Sequence, residues 1–186
     1  MLHILKSYIK FLWNSKNEHG VHSPFVFDLV TKCFYDKTKY PEYSLLKNNP
    51  KRAQLLFRII RYFKPKTILE IGNPTELDTN IFSSEIIPFE ELQKNKLSKN
   101  NITFDLVYFN QNESQKATIE YFNLLLHTIT NNVVWIINDI HKSTENENTW
   151  DIIKKHPKVK VTIDTFHFGM VFFRAEQEKE HFVIRV

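Results

Sequence analysis

Polar residues that could perform acid–base chemistry stand at the end of an apolar run covering residues 132–139. Asp139 closes the run and His141 follows two residues later. A carboxylate beside an imidazole can supply a general base and the group that orients it, so both are candidate catalytic residues. The alternative is that Asp139 accepts backbone N–H bonds in the following turn and that His141 is simply exposed. The spacing leaves both interpretations open.

Two other reactive residue types favour structural roles. Cys33 is the only cysteine, which excludes an internal disulfide framework and a cysteine-based zinc finger. Its apolar neighbours indicate a small buried hydrophobe rather than a nucleophile. His19 and His22 stand three residues apart in a polar loop, and no acid is placed there to complete a metal site. We therefore predict structural roles for these three residues.

The first third of the chain is predicted to be helical. Apolar residues recur at helical spacing over 1–14, 24–35 and 50–64. Ser23 before Pro24 is typical of a helix start, with the serine as N-cap and the proline in the first turn. Residues 1–64 are therefore predicted to form an N-terminal helical extension.

From residue 65 the pattern changes to short, continuous apolar runs at 66–72, 104–110 and 132–139. Such runs indicate strands buried on both faces, and intervening helices indicate a parallel sheet. Helices are predicted at 113–129 and 143–157, the second opened by a capping box of Thr144 and Glu147. Strands are predicted at 158–166 and 169–175, with a last edge strand at 181–186.

The predicted fold class is therefore α/β. A Rossmann-like, doubly wound and mostly parallel sheet with an antiparallel C-terminal hairpin covers 65–186, behind the helical extension at 1–64. Ligands of such sheets lie beyond the carboxyl ends of the strands. Here those ends are 70–72, 109–111 and 138–141, and chemistry is expected at these three places.

With those strand ends located, the chain resembles the class I S-adenosylmethionine-dependent methyltransferases. The segment "ILEIG" is similar to their first motif, "FDLVYFN" to their fourth strand and "VVWIINDIH" to their fifth. The segment "TWDIIKKHPKVKVTIDTFHFGMVFFR" is similar to their antiparallel finish. "EHGVHSPFVFDLV" and "EQEKEHFVIRV" are similar to one bacterial subgroup. The resemblance implies S-adenosylmethionine as cofactor if the protein is active, with Glu70, Gly72 and Asn110 as the cofactor-binding residues.

The sequence departs from the family pattern in the cofactor motif. That motif runs Glu-x-Gly-x-Gly-x-Gly, and its glycines let the backbone approach the cofactor closely. Pro74 and Glu76 stand at the two later glycine positions, and Asp78 adds further negative charge. With Asn73 as N-cap, this stretch is predicted to begin a short helix rather than to form a cofactor loop.

Chain length departs from the pattern as well. Two βα units between the first and fourth strands need roughly 60 residues, and about half of that separates Gly72 from Phe104. One strand at about 82–87 and one helix at about 89–96 are predicted there. At least one βα unit is therefore predicted to be missing. Glu85 and Glu90 are candidates for the acid that holds the ribose hydroxyls in the family.

The metal-binding pattern of the family is also incomplete. Some of its O-methyltransferases bind a divalent cation through an Asp after the fourth strand and an Asp-Asn or Asp-Asp pair after the fifth. Here those places hold Asn110 and the pair Asn138 and Asp139. One carboxylate is a poor ligand set for Mg²⁺ or Ca²⁺. No metal site is predicted, and both asparagines are expected to satisfy backbone groups at strand ends.

Three functions remain open. The preferred one is a methyltransferase-like protein that has lost catalysis and acts as a binding or scaffold module, with no cofactor. The second is an active S-adenosylmethionine-dependent methyltransferase of a small molecule. The third is a nucleic-acid-binding module.

Formal net charge is +4 and the pI is near 9.0. A basic helix face permits the third function, although solvation explains that face as well, and no nucleic acid is expected. Its members are Lys51, Arg52, Arg58, Arg61, Lys64 and Lys66.

The segment "MLHILKSYIKFLW" is predicted to be an amphipathic helix. It is too interrupted for a signal-peptide core, and no apolar run reaches the roughly 18 residues of a membrane span. The preferred interpretation is packing on its own domain or on a partner, so a homo- or hetero-oligomer through the N-terminal helices is expected. Contact with a membrane surface is the alternative. The single cysteine fits a cytoplasmic location.

Overall fold

A seven-stranded mixed sheet organises the chain in the computed structural model. The structure describes residues 2–46, 50–72, 84–90, 102–110 and 114–186. The strands are β1 (Thr67–Ile71), β2 (Glu85–Pro88), β3 (Leu106–Phe109), β4 (Val134–Asn138), β5 (Val161–Asp164), β6 (Phe168–Phe172) and β7 (Glu180–Val183). Their order across the sheet is β2-β1-β3-β4-β6-β5-β7. The predicted α/β class with an antiparallel C-terminal hairpin is confirmed.

Strand direction divides the sheet into two parts. β2, β1, β3 and β4 are parallel, with Leu69 opposite both Ile87 and Val107. β6 runs antiparallel to β4 and to β5, and β7 returns parallel to β5. The last strand predicted from the sequence is therefore present, and it closes the described edge beside β5.

Side chains of alternating residues in the central strands pack into two separate cores, one on each face of the sheet. Ile68 faces one core, and its neighbour Leu69 faces the other. Since both faces are covered, the strands carry continuous apolar sequences rather than alternating ones. This burial is the physical reason why the runs around β1, β3 and β4 could be recognised.

Helices cover both faces. They are α1 (Leu2–Asn14), α2 (Pro24–Leu29), α3 (Pro50–Phe63), α4 (Gln115–Leu125) and α5 (Thr144–Lys155). α2 continues into a π-helical turn at Val30–Phe34. Short 3₁₀ turns lie at Glu18–Gly20 and Pro41–Leu45. α2 and α3 line the first core, whereas α4 and α5 line the second.

The helix caps confirm one sequence prediction and correct another. Ser23 caps α2 by accepting from the backbone N–H of Val26 at 3.4 Å, as predicted. The predicted capping box of Thr144 and Glu147 is wrong, because the cap lies one residue earlier. Ser143 accepts from the backbone N–H of Asn146 at 3.1 Å. Glu147 is thereby left to bond elsewhere.

The N-terminal region lies against the carboxyl edge of the sheet. Phe11 of α1 contacts the Phe166 ring, just beyond β5, at 5.4 Å between centroids. Lys16 then pairs with Ile184 beyond β7, donating its N–H to the Val183 carbonyl at 2.8 Å. The N-terminal region therefore packs beside the carboxyl ends of β5 and β7, at the end of the sheet where a Rossmann-like fold binds its ligands.

Some predictions fall on residues outside the described ranges, namely the helix start at 73–78 and the end of the helix at 89–96. Glu85 opens β2 at the edge opposite to the strand's carboxyl end, so the structure does not place it in the expected ribose position. Glu90 is exposed just beyond that carboxyl end. In the described part of the chain, no helix is long and apolar enough to cross a membrane.

Candidate functional site

Gly72 ends β1 in a conformation that favours glycine. Its φ is +94°, in the left-handed half of conformational space. A Cβ built on Gly72 would collide with the carbonyl oxygen of Asn110. Asn110 in turn donates its backbone N–H to the Ile71 carbonyl at 2.9 Å. The contact between two neighbouring strand ends is therefore sufficient to require glycine at this turn.

A network of polar side chains joins the carboxyl ends of β3 and β4. The amide of Asn138 donates to the Asn110 Oδ1 at 3.2 Å, and both residues are buried. Arg52, in the first turn of α3, donates its Nη2 to the Asn138 Oδ1 at 2.5 Å. Its Nη1 donates to the Asp139 Oδ1 at 2.7 Å. One guanidinium thus bridges the amide and the carboxylate that end β4.

Packing holds this guanidinium in place. The side chains of Arg52 and Asp139 are only 15% and 21% exposed, so solvent screens their charges poorly. The Arg52 guanidinium carbon lies 5.5 Å from the centre of the Phe168 ring, which adds a cation–π contact. Asp139 has a φ of +54°, and its N–H donates to the His167 carbonyl at 2.7 Å. The Arg52–Asp139 pair is therefore fixed from both sides.

His141 lies in a second cluster, between two carboxylates. Its Nδ1 is 2.8 Å from the Glu147 Oε1 in α5, and its Nε2 is 2.7 Å from the Asp164 Oδ2 at the end of β5. When the imidazole is protonated, each ring nitrogen can donate to a carboxylate oxygen, so this geometry favours the charged ring. The Phe166 ring stacks on the imidazole with 5.2 Å between centroids.

These contacts set the charge of the cluster. Burial disfavours the charged ring of His141, but the bonds to Asp164 and Glu147 outweigh it and raise the pKa of the imidazole above 6.5. Burial likewise opposes ionisation of Glu147, but bonds from His141 and Ser7 prevail and lower the pKa of that carboxyl. His3 of α1 lies 3.8 Å from the same carboxylate. The cluster therefore links α1 to α5 and β5.

The structure places the candidate catalytic residues in different clusters. The polar side-chain partners of Asp139 are Arg52 and, at 3.7 Å, Lys142. Those of His141 are Glu147 and Asp164. The two carboxylates beside His141 lie on opposite sides of its ring, so the three groups do not converge on one point. Catalysis by Asp139 and His141 remains a prediction.

The cofactor-binding candidates cluster more closely. Gly72 and Asn110 are in contact, and Glu70 lies two residues earlier in β1 with 2% of its surface exposed. Asn110 bonds to Asn138, so the structure brings three of the strand-end residues together. A role for Glu70, Gly72 and Asn110 in cofactor binding also remains a prediction.

Arg52 is the residue of this site that sequence reasoning missed. The sequence puts it on a basic helix face, for which solvation and nucleic-acid binding are both open, but its side chain is mostly buried at the sheet edge. Arg58 donates to the Cys33 and Phe34 carbonyls, both at 3.2 Å, and Arg61 lies over the Tyr40 ring at 4.5 Å. A solvated face therefore does not describe Arg52 and Arg58, whereas Arg61 is exposed. Their helical spacing gave no indication of their long-range partners.

The interpretation of Cys33 agrees with the structure. The thiol is 1% exposed, and burial raises its pKa to about 12, which removes the thiolate needed for nucleophilic attack. Within the described residues, no group of three or more His, Cys, Asp or Glu side chains is arranged to hold a metal ion.

Comparison with solved structures identifies the fold. The chain superimposes on the methyltransferase PaMTH1 of Podospora anserina, solved with SAH bound, with a TM-score of 0.51 and 13% identity over 91% of this chain and 94% of that one. An O-methyltransferase from Bacillus cereus in complex with SAH gives 0.49 and 13% identity over 76% and 94% of the two chains.

The fold is that of the class I S-adenosylmethionine-dependent methyltransferases, as the sequence resemblance predicted. At 13% identity the likeness to PaMTH1 establishes the fold and no more. The sequence matches no protein-family model, and no functionally curated protein matches it.

Proposed function

We propose that this chain is a methyltransferase-fold protein that has lost catalysis and acts as a binding or scaffold module. The arrangement of Arg52 carries the proposal. Its guanidinium bonds to Asn138 and Asp139, and Asn138 bonds to Asn110. The polar groups at the carboxyl ends of β3 and β4 are thus bonded to one another and to a helix of the same chain.

Arg52 also supplies the positive charge that a divalent cation would supply in the metal-dependent relatives. The sequence resemblance puts Asn110, Asn138 and Asp139 at the metal-ligand positions of those enzymes. Two of these three side chains bond directly to the guanidinium, and Asn110 does so through Asn138. Hydrogen bonds from a guanidinium to a carboxylate are charge-assisted and among the strong ones, so Arg52 can offset the negative charge of Asp139 without an ion. This exchange supports the loss of metal-assisted methyl transfer.

The turn after β1 is compatible with the same proposal. Glu70 and Gly72 remain of the cofactor motif, and Gly72 would be retained in an active enzyme and in an inactive relative alike. The collision with Asn110 explains Gly72 by chain packing alone. Selection for a folded sheet would therefore preserve Gly72 after the later glycines of the motif had been replaced.

Chain length adds a third argument. β2 pairs with β1 and, within the described residues, forms the outer strand on that side of the sheet. Residues 89–105 connect β2 to β3, which is too short for a further βα unit of about 30 residues. A missing unit on that side removes part of the wall that a Rossmann-like fold builds around its ligand.

An active S-adenosylmethionine-dependent methyltransferase of a small molecule is the alternative. The fold favours it, as does Glu90, which is exposed beyond the carboxyl end of β2. The geometry of the candidate base opposes it. A general base must be free to accept a proton near working pH. Burial disfavours the charged ring of His141, but the bonds to Asp164 and Glu147 outweigh it and raise the pKa of the imidazole, which favours the protonated form that cannot act as a base.

Calorimetric titration of the full chain with S-adenosylmethionine and with S-adenosylhomocysteine distinguishes the two functions. We expect no heat of binding at millimolar ligand. Binding of one equivalent in the micromolar range would refute the loss of the cofactor site. An active O-methyltransferase titrated in the same buffers serves as the positive control.

If a heat of binding is observed, a matched pair of variants tests whether the ligand binds at the turn after β1. Gly72→Ala changes the turn at the end of β1, whereas Gly20→Ala changes a glycine near the N-terminal region. Binding that is lost only in Gly72→Ala would place the cofactor at the expected turn and support the active alternative. Circular dichroism of each variant establishes that it is folded.

A further inference from the structure

Helix α1 is apolar on two opposite faces. One face packs on the fold through Ser7 and Phe11, which are 6% and 5% exposed. The opposite face carries Leu2, Leu5, Ile9 and Trp13, at spacings of three, four and four residues. Such spacing aligns side chains along one side of a helix. We call this second stripe the outer face of α1.

The outer face is unusually exposed for apolar side chains. Trp13 is 88% exposed, Leu2 68%, Leu5 56% and Ile9 47%. Of the eleven large hydrophobic side chains exposed in the described part of the chain, six lie on α1 and the other five are scattered. A contiguous exposed apolar surface on a folded protein marks an interaction site.

Charge indicates the kind of partner. Lys6 and Lys10 follow Leu5 and Ile9 directly, which puts both on one flank of the stripe. Both line a shallow depression with Ile9, Trp13 and Asn14. Residues 2–17 contain three lysines and no Asp or Glu, so no acid offsets this charge within the segment. The surface is complementary to one that is both apolar and negatively charged.

We propose that the outer face of α1 docks on an anionic lipid surface. Apolar side chains would enter the boundary between headgroups and acyl chains, and the lysines would contact lipid phosphates, as in other interfacial amphipathic helices. Trp13 suits that boundary because its ring is apolar and its indole N–H can remain hydrated.

A second copy of the chain fits this surface less well. A two-fold dimer would set the outer face against itself. In an antiparallel pair, the lysine flanks of the two copies would lie on the same side, with no acid in the segment to neutralise them. Lipid docking does not depend on the proposed loss of catalysis, because α1 is exposed in the same way whether or not the chain binds a cofactor.

Vesicle binding by the full chain tests the proposal. Phosphatidylcholine vesicles are compared with phosphatidylcholine vesicles containing phosphatidylserine, by co-sedimentation and by tryptophan fluorescence. Trp135 and Trp150 are buried at 0% and 2% exposure, so a blue shift on vesicle addition reports Trp13. We expect binding to the anionic vesicles only, weakening as salt is added.

Variants separate charge from apolar contact. Lys6→Gln with Lys10→Gln should weaken binding about 30-fold, at about fivefold for each lysine near the surface. Trp13→Ala should weaken it at least about tenfold. The matched control is a double variant of α4, Lys116→Gln with Leu124→Ser. Both of these side chains are also exposed. The control should bind as the unmodified chain does.

The opposite results overturn the proposal. These are absence of binding to anionic vesicles, equal binding to neutral ones, or an equal loss of binding in the α4 control. The outer face would be assigned to self-association instead if the chain does not bind vesicles but forms a concentration-dependent dimer that Trp13→Ala dissociates. Because the substituted side chains are exposed, unchanged unfolding curves are expected for every variant.

Discussion

Single residues at the sheet edge are fixed by backbone geometry as much as by side-chain chemistry. Gly72 has a positive φ and lies against the Asn110 carbonyl. Asp139 also has a positive φ, which aspartate tolerates better than most residues do. These two turns bring the ends of β1, β3 and β4 close enough for Arg52 to join the network. The fold alone therefore accounts for the residue types at these two positions.

Replacing Gly72 by alanine should lower the free energy of unfolding by about 1–3 kcal/mol, because the new Cβ strains the turn and displaces Asn110. Urea denaturation measures the change. Gly20→Ala is the matched control, since Gly20 has no positive φ and a Cβ there would meet Lys16 side-chain carbons, the nearest at 3.0 Å, rather than a backbone carbonyl, so it should cost less. Equal losses in the two variants would contradict the role given to the turn.

The ion pair of Arg52 and Asp139 can be measured by a double-mutant cycle. We expect an interaction energy of about 1–3 kcal/mol between Arg52→Met and Asp139→Asn, since both side chains are mostly buried. The control cycle uses Lys142→Met, because Lys142 is 55% exposed and 3.7 Å from the same carboxylate. Its coupling should stay below about 1 kcal/mol. A coupling as small for Arg52 would remove the main support for the proposed function.

At the scale of elements, α1 is attached to the fold by its inner face and by the charged cluster around His141. Aromatic contacts join Tyr8 and Phe11 to Phe166 in the turn after β5. His3 approaches Glu147, which bonds to His141. Both attachments come from elements that are distant in sequence. The position of α1 therefore depends on the turn between β5 and β6.

This attachment should depend on pH. The pKa of His141 is raised above 6.5 in the folded protein, so its contribution to stability is complete below pH 6.5 and is lost as the pH rises through the raised pKa. Glu147 has a pKa below 4.5, so its contribution is complete above pH 4.5 and is lost as the pH falls through the lowered pKa. Stability from this cluster is therefore greatest between pH 4.5 and 6.5.

Unfolding measured across the pH range tests this expectation. His141→Gln should abolish the decline on the alkaline side, because the side chain no longer titrates. His19→Gln is the control, since that imidazole is 82% exposed and its substitution should leave the profile unchanged. An alkaline decline that persists in His141→Gln would assign the pH dependence to another group.

At the scale of the whole molecule, the predicted N-terminal extension and the sheet share one core. Val26 of α2 and Leu55 of α3 lie in the same buried cluster as Val134 of β4 and Ile184 beyond β7. The pairing of Lys16 with Ile184 adds a backbone link between distant parts of the chain. Residues 1–64 and 65–186 are therefore expected to unfold together.

Ile184→Ala tests that cooperativity. Ile184 is fully buried, and its truncation should lower the free energy of unfolding by about 2–5 kcal/mol. The most protected amide hydrogens of α2, α3 and β4 should then all exchange faster, and by one common factor, as expected for one cooperative unit. Val186→Ala, at an exposed position, should change stability by less than about 0.5 kcal/mol. Faster exchange confined to β7 would indicate separate units.

Residue patterns alone were enough to predict most of the elements and the α/β class. Continuous apolar runs marked β1, β3 and β4 because both faces of these strands are buried. Ser23 and Pro24 marked a helix start because their chemistry acts within one turn. The sequence predicted Thr144 in the cap of α5, whereas Ser143 caps the helix. Two adjacent hydroxyl residues offer the same local chemistry, and only packing selects between them.

Which polar groups meet could not be predicted from the sequence, because their contacts depend on how distant elements pack. The sequence put Asp139 beside His141, but their partners come from α3, α5 and β5, far along the chain. Whether an arginine on a helix faces solvent or a sheet edge depends on how the helix is rotated against the sheet, and apolar periodicity does not resolve this for long side chains. The contacts of Arg52 at the carboxyl end of β4 could therefore not be predicted from the sequence.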